Sequence, residues 1–242
     1  MIVLFTDFGW NGPYVGQLHL KLDLQAPNKK IINLLNDAPK FSIKASAHLL
    51  SSLISEFPKH TVFLCVVDPG VGTDDRKPVV LFADDRWYVG PGNGLLDVVA
   101  ARASSTKWFE ITWMPDDLSS TFHGRDLFAP MAAYVANKCN VDTVCKPLHY
   151  EITEKAGDDL LEIIYIDGFG NAMTGIRRGS IDPGKKLKIQ KQSITQCNTF
   201  GEIEPGKSFW FVNSNGLVEI AVNQGRADTN LDLEVGTQVS II

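Results

Sequence analysis

The pattern of apolar runs changes once along the chain, near residue 150, and that change restricts the fold more than any other feature. Before it, strand-like and helix-like stretches alternate. Ile2–Thr6, Ile31–Leu35, Thr61–Val67 and Lys107–Thr112 read as strands. Apolar spacing predicts helices from about Pro13 to Leu24, then over Phe41–Phe57, Leu95–Ala103 and Gly124–Asn137. Val79–Phe82 and Trp87–Val89 flank Ala83-Asp84-Asp85 as a hairpin would. Thr61–Val67 is apolar without a break, as suits a strand buried on both faces. This alternation predicts an α/β N-terminal domain, residues 1–150, built on a mostly parallel sheet with both faces covered.

Beyond residue 150 the strand candidates are short and follow one another without a long helix. They are Leu161–Ile166, Asn171–Ile176, Lys186–Gln190, Phe209–Val212, Leu217–Val222 and Thr237–Ile242. Gly or Pro turns separate several of them. The pattern predicts a small all-β, barrel-like C-terminal domain over residues 151–242. A module of that length has little core of its own, so close packing on a partner or neighbour is expected.

Charge narrows the partners. The whole chain carries 23 Lys+Arg against 28 Asp+Glu, and neither half is basic, so no nucleic-acid partner is expected. No apolar run reaches the ~18 residues of a membrane helix, and the opening MIVLFTDFGW is too short for a signal peptide. Cys65, Cys139, Cys145 and Cys197 form no CxxC pair and are not grouped with His. Reduced thiols, a cytoplasmic location and no metal site are the expectation.

Several loops gather polar groups. Asp7 ends the first strand, where ligands of open parallel sheets collect. Its two oxygens suit a pair of ribose hydroxyls, or else it caps the following turn. Gly9, Gly12 and Gly16 lack the spacing of a dinucleotide fingerprint. Asp68 follows another apolar strand and opens Asp68-Pro69-Gly70-Val71-Gly72-Thr73, with Arg76 eight residues on. A bidentate Arg76–Asp68 pair would either prepare a reactive carboxylate or simply brace the loop. His123 stands at the start of the Gly124–Asn137 helix, where an imidazole can relay protons or merely cap. Asp167-Gly168-Phe169-Gly170-Asn171 offers a flat ring and an amide suited to an adenine edge, or a packed hairpin turn. Asn213-Ser214-Asn215-Gly216 is a second polar turn.

Taken in order, these stretches resemble the S-adenosyl-L-methionine hydroxide adenosyltransferase family, relatives of the fluorinase and chlorinase. The matching segments are Thr6-Asp7-Phe8-Gly9, Asp68-Pro69-Gly70-Val71-Gly72, Gly90-Pro91-Gly92-Asn93-Gly94 and Thr121-Phe122-His123-Gly124-Arg125-Asp126. The second half adds Asp167-Gly168-Phe169-Gly170-Asn171 and Asn213-Ser214-Asn215-Gly216-Leu217. The resemblance implies an enzyme that converts S-adenosyl-L-methionine and water to adenosine and L-methionine, with no cofactor. It implies a homotrimer, with each substrate held between subunits. Carried over residue by residue, it gives Asp68, Arg76 and His123 to the handling of water or hydroxide. Asp7 would take the ribose hydroxyls, Phe169 and Asn171 would surround the adenosine, and Asp167 and Ser214 would bind the methionine amino-acid end.

Two departures stand out. The family usually places consecutive basic residues after the Gly-rich segment, whereas here Asp74 and Asp75 precede Arg76 and Lys77. An acidic residue is frequent shortly after the first motif, where this chain has Trp10-Asn11-Gly12-Pro13. Halide chemistry is not expected, because the short connections between Val79 and Thr112 leave no room for the extra fluorinase loop and His123 is present. Two other readings remain: a non-catalytic sensor of S-adenosyl-L-methionine or adenosine, and a Mg²⁺-dependent nucleotide hydrolase using Asp7 and Asp68.

Overall fold

Ile2 to Thr6, four apolar residues and a threonine, form the first strand and are buried along their whole length. The computed structural model describes residues 1–73 and 76–242. They divide into two units. One comprises Met1–Ala47 and Ser55–Gly157, the other His48–Ile54 and Asp158–Ile242.

The first unit runs β1 (Ile2–Thr6), α1 (Tyr14–Gln25), β2 (Ile31–Leu35), then α2 (Ile43–Leu53), whose later residues fall in the second unit. It continues with β3 (Val62–Val66), β4 (Pro78–Ala83), β5 (Arg86–Pro91), α3 (Asp97–Arg102) and β6 (Thr106–Ile111). A π-helical turn, Gly124–Phe128, leads into α4 (Ala129–Ala136), and β7 (Cys145–Pro147) closes the set. The strands form one sheet in the order β2-β1-β3-β5-β4-β6-β7.

The sheet is mixed, which corrects the expectation of a mostly parallel one. β2, β1, β3 and β5 run parallel, but β4 is antiparallel to both β5 and β6, and β6 is antiparallel to β7. The cause is local. Asp84 and Asp85 both adopt left-handed backbone (φ 43° and 63°), so the chain reverses in two residues without a crossover helix. Leu18 and Leu22 of α1, with Met131 and Val135 of α4, pack against Leu4, Leu64, Val66 and Val80 in the core of this unit. Val3, Phe5, Phe63 and Cys65 are also fully buried, so the central strands are covered on both faces.

The second unit contains β8 (Leu160–Ile166), β9 (Ala172–Arg177), β10 (Leu187–Ile189), β11 (Gln192–Ile194), β12 (Ser208–Val212), β13 (Leu217–Val222), α5 (Ala227–Leu231) and β14 (Val239–Ile241). Its two sheets, β12-β13-β9-β8 and β11-β10-β14, are antiparallel throughout. Single bridges join their margins, Gln196 to Trp210 and Glu162 to Gln238. Ile163, Ile176, Leu187, Trp210, Ile220 and Val239 share its core. Among the described residues, no helix is long and apolar enough to cross a membrane.

Candidate active site

The parallel half of the sheet sets the first group of residues. Thr6 lies level with Val66, so Asp7 and Asp68 leave β1 and β3 at the same edge of the sheet. Asp7 is half-buried. Burial raises its pKa above the usual carboxylate value and the charge of Asp68 adds to this, while its own N–H, the N–H of Phe41 and Lys40 oppose it. Phe41 is exposed and held at φ 61°, a costly conformation for an aromatic residue.

Arg76 is the basic residue that reaches Asp68. Its Nη2 donates to Asp68 Oδ2 at 2.5 Å, and the two side chains are only 10 % and 6 % exposed. The expected bidentate pair is not formed. The other branch of the guanidinium, Nη1, donates instead to the Gly70 carbonyl and to Thr73 Oγ1 (3.1 Å). The fork thus ties the carboxylate to its own loop. Asp68 Oδ1 is fully buried and has no hydrogen-bond donor among the described residues. Lys77 turns away and pairs with Glu110 at 2.8 Å. Asp74 and Asp75, which set this chain apart from the family pattern, lie outside the described residues. Just before Asp68, Asn93 fixes the strand end by donating to the Val67 carbonyl at 3.0 Å.

His123 comes to this edge through backbone contacts. A Cβ on Gly72, which sits at φ +83°, would fall 2.3 Å from the Ser120 carbonyl oxygen, so the two loops touch backbone to backbone. A Cβ on Gly124 would lie 3.1 Å from Phe8 Cζ. Phe8, Phe122 and Tyr14 pack edge-on or tilted, with ring centroids 5.3–6.0 Å apart. His123 is the N-cap of the π-helical turn, and its ring makes no cap hydrogen bond. Behind it, Arg125 grips buried Asp126 through Nε and Nη2 at 2.7 and 2.9 Å, and Asp126 accepts the Ser119 N–H at 3.2 Å. Asp7, Asp68, Arg76 and the His123 segment therefore converge on one edge of the first unit.

The second unit holds the remaining expected residues on two hairpins. Asp167 Oδ1 accepts the N–H groups of Phe169 and Asn171, both at 2.9 Å, and Oδ2 accepts from Asn171 Nδ2 at 3.2 Å. The carboxylate thus shapes its own turn. Asn171 is buried, whereas Phe169 is 80 % exposed, an unusual position for so large an apolar ring. Arg226 donates to the Gly168 carbonyl at 3.0 Å and pairs with Asp228, bracing the hairpin from the start of α5. Ser214 is exposed on the β12–β13 turn. A recess of about 610 Å³ is lined by Asp167, Phe169, Asn171, Phe200, Val222 and Gln224.

Sequence reasoning missed Phe41, Phe200, Gln224, Arg226 and Glu219. Apolar spacing extends the second helix back to Phe41, whereas α2 begins at Ile43. Glu219 lies in a strand whose six residues are all buried, so no alternation marks it. The four cysteines are free, and burial pushes the Cys145 thiol up to about 11 and that of Cys65 higher still, which leaves neither as a nucleophile. Among the described residues no cluster of three or more His, Cys, Asp or Glu is placed to hold a metal ion.

An acid-edged α/β unit joined to an antiparallel unit with polar hairpins defines a two-part enzyme scaffold, and family profiles identify it. The N-terminal domain of the SAM hydroxide adenosyltransferases matches residues 2–145 and the C-terminal domain matches 161–240. The chain belongs to the SAM hydroxide adenosyltransferase family. It is 32 % identical over 250 residues to the (R)-S-adenosyl-L-methionine hydrolase of Salinispora tropica, covering 98 % of this chain and 95 % of that protein. The (R)-S-adenosyl-L-methionine hydrolase of Thermus thermophilus is 31 % identical, with 100 % and 99 % covered. Among solved structures, an uncharacterized conserved protein from Thermotoga maritima matches with a TM-score of 0.88 at 31 % identity, covering 100 % of this chain and 99 % of that one.

Proposed function

We propose that this chain hydrolyses S-adenosyl-L-methionine, with attack of water at the ribose C5′ giving adenosine and L-methionine. Membership of the family and the names of its relatives support the reaction class. The observation that carries the mechanism is Asp68. Arg76 neutralises one of its oxygens, while the other is buried without a donor among the described residues and is suited to accept a hydrogen bond from water.

The chemistry follows from charge. The substrate sulfonium leaves as a neutral thioether, so no general acid is needed. Water must lose a proton as its oxygen bonds to C5′, and that proton passes to Asp68 or His123. The Arg76 guanidinium beside Asp68 supplies positive potential for the developing hydroxide. Asp7 accepts the ribose hydroxyls. In the second unit Phe169 and Asn171 bind the adenine, and Asp167 and Ser214 bind the amino-acid end. In this reading residues 1–150 handle ribose and water, and residues 151–242 handle adenine and methionine. The single bridges between its two sheets support a barrel-like closure of the second unit. The resemblance extends the proposal to a cytoplasmic homotrimer with shared sites, for which light scattering should give three times the mass of the chain.

Chromatography of purified protein incubated with S-adenosyl-L-methionine and EDTA tests the proposal. Equal amounts of adenosine and methionine are expected. EDTA-sensitive turnover would favour the Mg²⁺-dependent nucleotide hydrolase, and tight binding without products would favour the sensor.

A further inference from the structure

Glu219 lies on β13 and only 4 % of it is exposed. A carboxylate is rarely buried so far unless a specific partner holds it. Here the partner is Asn213, whose Nδ2 donates to Glu219 Oε2 at 2.7 Å. An asparagine amide has one donor end and one acceptor end. With the donor end committed to Glu219, Asn213 Oδ1 must face the β12–β13 turn. There it accepts the N–H groups of Asn215 and Leu217, both at 3.0 Å. The Asn213 backbone closes the same turn, its N–H donating to the Leu217 carbonyl at 2.8 Å and its carbonyl accepting from Gly216 at 3.0 Å. Asn213 is therefore the hub of the loop that presents Ser214, and Glu219 decides which way the hub points.

We propose that Glu219 is a positioning residue for the amino-acid end of the substrate, acting through Asn213 on the turn that carries Ser214. This rests on the hydrolase reading of the site. Burial holds the Glu219 carboxyl above its ordinary pKa; the Asn213 hydrogen bond opposes this and the charge of Asp167 reinforces it. The charge of Asp167 thus acts against that of Glu219, with Arg226 bracing the same hairpin. The ammonium of an amino acid beside Asp167 relieves that repulsion, whereas adenosine, which lacks the ammonium, does not.

The test compares Glu219→Leu, which removes the acceptor, with Glu219→Gln, which keeps one. Glu219→Leu should raise KM for S-adenosyl-L-methionine about tenfold, leave kcat within about twofold and leave adenosine affinity by calorimetry unchanged. Glu219→Gln should recover most of the loss. If Glu219→Leu does not fold, Glu219→Met removes the same acceptor with a closer match in shape, and must give the same selective rise. Equal weakening of both ligands, an unchanged KM, or a Gln variant no better than Leu overturns the inference. A wild-type chain that binds S-adenosyl-L-methionine without forming adenosine defeats the hydrolase reading instead. The same variants are then judged on the Kd for S-adenosyl-L-methionine, by the same selectivity.

Discussion

Arg76 holds Oδ2 of Asp68 at 2.5 Å, while Oδ1 of the same carboxylate is buried without a donor among the described residues. The pair is thus one-sided, with the guanidinium on a single oxygen. Removing the arginine leaves an unpaired buried charge. Arg76→Ala should therefore destabilise the fold by roughly 3 kcal/mol and abolish turnover. Arg76→Lys should fold better but remain slow, because an ammonium cannot grip Asp68, Gly70 and Thr73 together. Urea titration alongside an adenosine assay checks both. An Arg76→Ala protein with wild-type stability would show that the pair is not desolvated as described.

Asp7 tests a cost of function. Its folded pKa lies above the ordinary aspartate value of 3.8, first through burial and then through Asp68. A raised acid pKa favours the fold only where the group is protonated. Its stabilising contribution is complete below about pH 3.8 and is lost as pH rises through the folded pKa. Asp7→Asn should thus melt higher than wild type at pH 7, with the difference vanishing near pH 3.8. The same variant should bind adenosine at least about tenfold more weakly, through two lost charge-assisted hydrogen bonds. Melting curves across pH, with calorimetry for adenosine, separate the two effects.

Gly72→Ala addresses how His123 reaches the site. The new methyl group would overlap the Ser120 carbonyl oxygen, at a backbone angle that L-residues avoid. A loss of about 2 kcal/mol in stability is expected. Turnover should fall by more than adenosine affinity, because the loop carrying His123 moves while Asp7 stays. Equal losses would mean that the Gly72–Ser120 contact braces the fold alone.

Phe169 offers the reverse signature. Its ring is 80 % exposed, so Phe169→Ala should change stability by no more than about 0.5 kcal/mol. Adenosine affinity should nevertheless drop about tenfold, the size of a lost base-stacking platform. Thermal melts and calorimetry on one preparation decide it.

The sequence foretold elements better than it foretold their assembly. Ile2–Thr6, Ile31–Leu35 and Leu217–Val222 are strands at the predicted bounds, because apolar runs and turn residues are local signals. The order β5-β4-β6 was not legible, since pairing depends on contacts far apart in the chain. The three-residue strands β7 and β11 are too short to carry a pattern. Gly124–Asn137 read as one helix because Leu127, Phe128 and Met131 keep the same face through a π-helical turn as through an α-helical one. At the site, motif residues at strand ends were visible. The asymmetric grip of Arg76, the strained Phe41 and the buried Glu219 were not, because each depends on a neighbour supplied by folding.

Turnover in ¹⁸O-labelled water measures the central claim most directly. S-adenosyl-L-methionine incubated with the purified protein should yield adenosine carrying one ¹⁸O at the 5′ oxygen, with unlabelled methionine in equal amount. Unlabelled adenosine, or adenine released with label on the ribose C1′, would contradict attack of water at C5′.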